Sequence, residues 1–347
     1  MKKIFLFLLI VGNLTANAQD FELTNRHLVK YYELINKAEE KIIHIDLASA
    51  NNLYKEAFKE FQYPHAKDLQ NSMNVALKIK DLDEAFSNYQ SLKCLGKDVN
   101  DDFFSENFKN DKKYKIKPCV NNIDLSYKKS LDSLYEIDQY YRKLSGGNYE
   151  AYKNELTKSD SITSTKLISL IQKKGFPNEY NIGLTSADNM FYQKFYYIIW
   201  HQLANNHYSS QKVNFSKEIL IALNEGKIRP DIAGHLFDLN NGTQNYSFFK
   251  VYQLILSKEK LDCCYISEAI LPEKRTAEVG VKINEINRKR KLIGLSTTEE
   301  EVHKNIFFLS DKKYLFSNIA MEGFQFNNNK DAERFKKYLI RLDDITH

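Results

Sequence analysis

The chain has 347 residues, with 50 basic and 45 acidic side chains and a formal net charge of +5. Lysine and glutamate alternate along the predicted helical faces instead of forming a basic stripe, so nucleic acid is not an expected partner. With only 12 glycines and 5 prolines, the composition excludes a turn-rich β-sandwich and a glycine-rich nucleotide-binding sheet. The expected fold class is mainly α, and the length favours two domains.

The N-terminus has the pattern of a secretory signal. Two lysines precede an apolar run over residues 4–11, and Ala-Asn-Ala at 16–18 supplies the small residues that signal peptidase accepts. We therefore predict a leader over residues 1–18 and an exported product, periplasmic or extracellular. The apolar run is too short to span a bilayer, so no membrane span is expected in the mature chain.

An internal repeat lies between residues 23 and 96. Four positions recur 35 residues later with the same internal spacing: Asp46, Ala50, Tyr54 and Ala57, then Asp81, Ala85, Tyr89 and Leu92. The spacing places an acid at a helix start, followed by a small, an aromatic and an apolar residue on one helix face. This segment resembles tetratricopeptide repeats, which are stacked helix pairs with a period of 34 residues. The resemblance implies a binding face for a protein or peptide partner, and we expect the open end to dock on the downstream domain.

Residues 97–122 are polar and lysine-rich, which predicts a linker. A larger helical domain is predicted over residues 123–310. Its helices are expected at 125–145, 164–174, 191–203, 214–224, 231–239 and 283–292. The segment 191–203 is apolar nearly all round and is predicted to be the buried central helix.

The tail, residues 311–347, is predicted as an extension of this domain. Apolar runs at 306–309 and 314–316 flank Ser-Asp-Lys-Lys, which predicts a small β-hairpin. A helix is expected over residues 331–342.

Six phrases between residues 127 and 309 resemble, in the same order, a bacterial domain family of unknown function. They are Asp138-Gln139 with Arg142; Lys174-Gly175-Phe176-Pro177 leading to Gly183; Ile199-Trp200-His201; Gly226-Lys227-Ile228 with Asp238; Gly242 with Gln244 and Tyr246; and Asn287 to Arg290 with Gly294-Leu295. The family pattern has Asp-Arg and then Tyr-Gly-Thr, whereas here Leu239 follows Asp238 and Ser247 follows Tyr246. The resemblance covers about half of the chain and implies a fold and a polar pocket more strongly than an activity.

The polar residues of these phrases are the candidate site residues. Three are candidates for catalysis, since an imidazole, a carboxylate and an amide together can transfer protons and orient a substrate: His201, Asp238 and Gln244. Five are candidates for ligand binding: Asp138, Gln139, Arg142, His235 and Arg290.

Structural alternatives stay open for these residues. For His201 the sequence favours a core histidine satisfied by one hydrogen bond, and for Asp138 with Arg142 it favours a structural ion pair across one helical turn. His235 and Asp238 face the same side of a helix, but two groups fall short of the usual three protein ligands, so no metal site is predicted. The sequence does not identify a cofactor.

The four cysteines are Cys94, Cys119, Cys263 and Cys264. An oxidising compartment permits a bond between Cys94 and Cys119, although spacing alone cannot choose among the three connectivities. Because a bridge between adjacent residues strains the peptide between them, Cys263 and Cys264 are expected as buried thiols.

Two functions fit these observations. The leading prediction is an exported helical protein that binds a protein, a peptide or a small polar ligand, because helical repeats present a concave binding face. The alternative is a hydrolase in which His201 and Asp238 act with Gln244 or Arg142. Side chains of His201, Asp238 and Gln244 converging in an open cleft would favour the enzyme, and His201 sealed in the core would favour binding.

Overall fold

A computed structural model describes most of the chain after the predicted leader. The described residues are 20–97, 101–109, 111–120, 123–184, 193–203, 212–246, 251–257, 260–316, 321–326 and 328–344. The leader predicted over 1–18 lies outside them. The protein is mainly helical with a small four-stranded sheet near the C-terminus, which confirms the predicted fold class.

Helices in two antiparallel pairs begin the described chain. Their bounds are α1, Arg26–Ile43; α2, Leu47–Glu60; α3, Ala66–Lys78; and α4, Leu82–Cys94. Helix α1 packs on α2, α3 packs on α4, and α2 contacts α3.

The second helix of each pair starts in the same way. Asp46 accepts a hydrogen bond from the Ser49 N–H at 3.2 Å, and Asp81 accepts one from the Glu84 N–H at 3.3 Å, so both acids are N-caps. The residues before them, Ile45 and Lys80, have left-handed φ angles of 58° and 63°. The 35-residue spacing therefore corresponds to two turns of the same conformation, while membership of the tetratricopeptide family stays a prediction.

The segment predicted as a linker, residues 97–122, packs on helices α3 and α4 where it is described. It contains α5, Asp101–Asn107, after which Phe108 and Tyr114 are buried against Phe86. A disulfide also joins Cys119 to Cys94 at the end of α4. These contacts attach the described part of the segment to α4.

We call the described residues from 123 to 344 the second region. It begins with further helices: α6, Leu125–Ser145; α7, Lys153–Lys174; α8, Glu179–Ile182; α9, Tyr196–Leu203; α10, Ser216–Asn224; and α11, Pro230–Asn241. Helix α6 ends as predicted, at Gly146 with a left-handed φ of 54°. Helix α7 begins eleven residues earlier than predicted, because its first half buries polar residues such as Ser159, which donates to the Ile137 carbonyl. Helix α9 is buried on one side only, since Trp200 is 37% exposed.

The C-terminal part combines two long helices with the sheet. Its elements are β1, Val251–Ser257; β2, Lys260–Ser267; α12, Ala277–Leu292; α13, Thr298–Ser310; β3, Met321–Gln325; α14, Asn329–Lys336; and β4, Leu339–Arg341. The strand order is β3-β1-β2-β4, with β3 parallel to β1 and the other neighbours antiparallel.

The hairpin predicted at 306–316 is wrong. Residues 306–309 lie in α13, which begins with a capping box between Thr297 and Glu300. Ile306 of the apolar run packs beside Ile266 of β2, whereas Phe307 and Phe308 pack on the main core, so the run contributes to two cores from one helix. The helix expected over 331–342 is also too long, because its last residues pair with β2 as β4.

Cys263 and Cys264 lie in β2 and are bonded to each other, which corrects the expectation of two thiols. The peptide bond between them is cis, and their Cα atoms are 3.0 Å apart.

Helices α1 and α2 share one apolar core with the downstream helices. Leu28 and Tyr31 of α1 belong to the same buried cluster as Ile219 of α10 and Phe237 of α11. Close approach is needed at Gly294, where a Cβ would lie 3.0 Å from the Tyr32 ring and φ is 87°. Helices α1 and α2 are thus packed against the second region.

Candidate functional site

Two elements far apart in the sequence bring His201 and Asp138 together. Asp138 lies on α6 with no exposed surface, and His201 lies on α9. The His201 Nδ1 is 2.6 Å from Asp138 Oδ2, and the Gln139 side chain donates to the same oxygen at 2.7 Å. Three of the candidate residues therefore meet at one carboxylate.

Arg142 connects this carboxylate to a second one. Its Nη1 donates to the Asp138 carbonyl at 2.7 Å and lies 3.4 Å from Oδ1, and its Nη2 donates to Asp160 Oδ2 at 2.8 Å. Burial raises the pKa of Asp160, and Arg142 opposes that shift. Sequence reasoning missed Asp160, because it lies in the polar half of α7 outside every phrase. We call Asp138, Gln139, Arg142, Asp160 and His201 the histidine centre.

The Asp138 carboxylate orients the imidazole of His201. In the neutral tautomer that donates from Nδ1 to Asp138, the lone pair is on Nε2. The His201 side chain is 16% exposed, and its ring stacks on the exposed Trp200 with centroids 5.8 Å apart. An oriented, partly exposed imidazole of this kind can accept a proton from a molecule at the surface.

Asp238 and Arg290 lie away from the histidine centre and bind the turn that follows α11. Asp238 accepts hydrogen bonds from the Asn245 and Tyr246 N–H groups at 2.6 and 2.9 Å. Arg290 donates to the Tyr246 carbonyl and forms an ion pair with Glu301. Both candidate residues therefore hold the conformation of the turn.

The predicted catalytic trio is divided between these two places. The carboxylate at His201 is Asp138, whereas the carboxylate of Asp238 is bound to the turn, and Gln244 is exposed within that turn. His235 lies on α11, with its ring centroid 6.4 Å from that of Trp200. A single His201, Asp238 and Gln244 site is thus not the observed arrangement.

A cavity that the sequence did not indicate opens where α1 and α3 face α11 and α13. It is small, with about 40 Å³ that the centre of a water molecule can occupy, and it is partly open to solvent. Its walls carry three cations and three carboxylates, all buried or nearly so: Lys67, Arg229 and Lys304, and Glu39, Asp68 and Asp231. We call these six residues and the space between them the charged cavity.

One wall of the charged cavity is centred on Glu39 of α1. Lys304 of α13 lies 2.6 Å from Glu39 Oε2, and Lys67 of α3 binds the other oxygen. Lys67 also lies 3.0 Å from Asp68 Oδ1. Burial lowers the pKa of Lys67, but Asp68 and Glu39 outweigh it and the pKa lies above its usual value. Glu39 thus joins lysines from both regions of the protein.

The opposite wall is the start of α11. Pro230 is the first helical residue, and Arg229 before it donates Nε and Nη2 to the two oxygens of Asp231 at 3.0 and 2.7 Å. This fork is the strong, planar form of an arginine–carboxylate pair.

Tyr32 and His65 lie between the two walls. The Tyr32 hydroxyl is 2.9 Å from His65 Nε2, and the two rings are stacked. Burial, followed by the charges of Arg229 and Lys67, lowers the pKa of His65 to about 3, so the imidazole is neutral at ordinary pH.

Glu179 of α8 supports the cavity from behind. Its Oε2 accepts the Ala66 N–H of the first turn of α3 at 2.7 Å and lies 3.9 Å from His65 Nδ1. Burial raises the pKa of Glu179 to about 7, against the effect of the Ala66 hydrogen bond. The carboxylate replaces the missing side-chain cap of α3, since His65 makes no cap hydrogen bond.

Within the described ranges, no group of three histidine, cysteine, aspartate or glutamate side chains is arranged to hold a metal ion. None of the helices in that part of the chain is both long and apolar enough to cross a membrane. Comparison of the chain with models of protein families, with curated proteins and with solved structures gave no match.

Proposed function

We propose that this protein is an exported binding protein that holds a small polar ligand in the charged cavity. The observation that carries the proposal is the burial of six charged side chains around an open space. The leader pattern of residues 1–18 supports export.

Stability alone gives little reason to bury these charges. Removing two ions from water costs several kcal/mol each, and apolar side chains of similar size are often at least as stabilising as a buried ion pair. Fixed polar groups beside a space that a molecule can enter are, in contrast, what a ligand site requires. The cavity volume of about 40 Å³ is well below that of a site for a drug-sized ligand, roughly 300–1,000 Å³, so the ligand must be small.

The ligand would bridge the two regions of the protein. Glu39, Lys67 and Asp68 come from helices α1 and α3, while Arg229 and Lys304 come from the second region. A molecule that binds both walls prefers the folded state and raises the melting temperature.

The test is a thermal-shift screen of the mature protein against small polar metabolites, with two lysine variants. Lys304→Met removes a cavity cation, and Lys291→Met is a matched control on the exposed face of α12. We expect a ligand that stabilises the wild type and the control but not Lys304→Met. A ligand that stabilises all three proteins equally would place binding elsewhere and contradict the proposal.

A second candidate function is hydrolysis at the histidine centre, favoured by the 2.6 Å contact between His201 and Asp138. In this function His201 Nε2 accepts a proton from the attacking water. Chromogenic ester, phosphoester and glycoside substrates test it. Turnover that is lost in His201→Gln and kept in His303→Gln, an exposed control, would support the enzyme, and absence of turnover in the wild type would count against it.

A further inference from the structure

We infer that the ligand of the charged cavity is a small zwitterion with one ammonium and one carboxylate group, such as a free α-amino acid. The inference rests on the proposed function and specifies the chemistry of the same site.

The first argument is the charge balance of the walls. Lys67, Arg229 and Lys304 offset Glu39, Asp68 and Asp231. His65 is neutral because its pKa is about 3, and Glu179 behind the cavity is neutral below its pKa of about 7. A ligand with a net charge would bring an uncompensated charge into a site that is largely out of water, which is strongly unfavourable. A ligand whose charges sum to zero avoids that cost.

The second argument is that both signs are fixed within the cavity. An apolar ligand would displace water from the ion pairs without offering them a new partner. A zwitterion offers a carboxylate to the cations and an ammonium to the carboxylates, so each ligand charge gains a charge-assisted hydrogen bond.

The contacts show where each end of the ligand fits. Lys67 has acceptors for two of its three N–H groups among the described residues, Glu39 and Asp68, and a ligand carboxylate suits the third. Asp231 lies on the opposite wall, where it accepts two hydrogen bonds from Arg229, and its carboxylate is the partner for the ammonium group.

The size of the cavity restricts the ligand to a small molecule. About 40 Å³ of it can be occupied by the centre of a water molecule, which favours the smallest amino acids.

Isothermal titration calorimetry with matched ligands tests the inference. The 20 common amino acids are titrated singly, and the tightest binder is compared with its carboxamide, which is a cation, and with its N-acetyl form, which is an anion. Glucose serves as a neutral polyol. We expect at least a tenfold loss of affinity for both charged derivatives and no binding of glucose.

Lys304→Met provides a charge test within the protein. It leaves the cavity with a net charge of −1, so the preference should move towards the cationic carboxamide, while Lys291→Met should behave as the wild type. If Lys304→Met does not fold, Tyr32→Phe replaces it, because it keeps the ring and removes the hydroxyl bound to His65. We expect Tyr32→Phe to weaken the amino acid at least threefold.

The outcomes separate this inference from the proposed function. Tight binding of glucose or of a singly charged compound, lost in the cavity variant, would overturn the zwitterion and leave the binding function in place. An amino acid that binds the wild type and the cavity variant equally would overturn the assignment to this cavity. No binding by any compound of the panel would overturn the inference, and a flat metabolite screen would overturn the function as well.

Discussion

The His201 imidazole is oriented by a carboxylate 63 residues earlier in the chain, with Nδ1 2.6 Å from Asp138 Oδ2. Asp138 is fully buried and Arg142 stands beside it, so its charge is compensated on two sides. The contact joins α6 to α9, and its removal should affect both stability and the orientation of the imidazole.

We therefore expect Asp138→Asn to destabilise the protein by about 2–4 kcal/mol, because it leaves the buried Arg142 with Asp160 as its main anionic partner. Asp132→Asn is the matched control on the same helix and should change the free energy of unfolding by less than about 0.5 kcal/mol. Urea unfolding followed by circular dichroism measures both. Equal, small effects of the two variants would show that the buried carboxylate is not required.

Glu179 predicts a pH dependence of stability. Its pKa is about 7 in the folded protein, raised from 4.5, so the folded state binds the proton more tightly than the unfolded state. The stabilisation is complete below pH 4.5 and is lost as the pH rises to about 7. Glu179→Gln keeps an acceptor for the Ala66 N–H and removes the charge. It should match the wild type at pH 4.5 and exceed it by roughly 1–3 kcal/mol at pH 8 in urea unfolding. A constant difference between the two proteins at both pH values would contradict the raised pKa.

Glu39, Lys67 and Lys304 predict a coupling between the two regions of the protein. Lys304→Met should cost about 2–4 kcal/mol in stability, since Glu39 loses one of two buried ammonium partners. Adding Glu39→Gln should recover at least part of this loss, because the uncompensated carboxylate is then absent. A double-mutant cycle in chemical unfolding measures the coupling. Strictly additive effects would show that the two side chains do not interact.

The two equivalent N-caps should differ in strength. Asp46→Ala should cost about 1 kcal/mol, the usual value for a lost cap. Asp81→Ala should cost more, because Asp81 also accepts hydrogen bonds from Asn51 at 2.9 Å and Lys55 at 2.6 Å of α2, across the boundary between the pairs. Thermal unfolding of the two variants compares them directly, and a larger effect at Asp46 would contradict this account of the second cap.

Local sequence signals, such as capping residues and terminal glycines, are sufficient to predict much of the helical part of the chain. The 35-residue spacing is recognisable in the sequence because Asp46 and Asp81 are both N-caps. The end of α6 is predicted by the glycine that follows it. The strand pair β1 and β2 was missed because its connection, Lys258-Glu259, has none of the Gly or Asn signals of tight hairpins. The apolar run over 306–309 on its own predicts a strand, whereas the capping box of Thr297 and Glu300 starts α13, which includes that run.

The candidate site was predicted only where its residues shared a phrase or a helix turn. Asp138, Gln139 and Arg142 lie within one turn of α6. His201 directly follows Trp200 in the apolar segment that forms α9. The charged cavity was not predictable in this way. Glu39, Lys67 and Lys304 are ordinary helix residues in sequence, and only tertiary packing buries them together.

The most direct test of the central claim is a crystal structure of the mature protein soaked with the amino acid that binds most tightly. The account predicts electron density for one amino acid in the charged cavity, with its carboxylate near Lys67 on the α3 wall and its ammonium near Asp231 on the α11 wall. An occupied site elsewhere on the protein, with the charged cavity filled only by water, would contradict it.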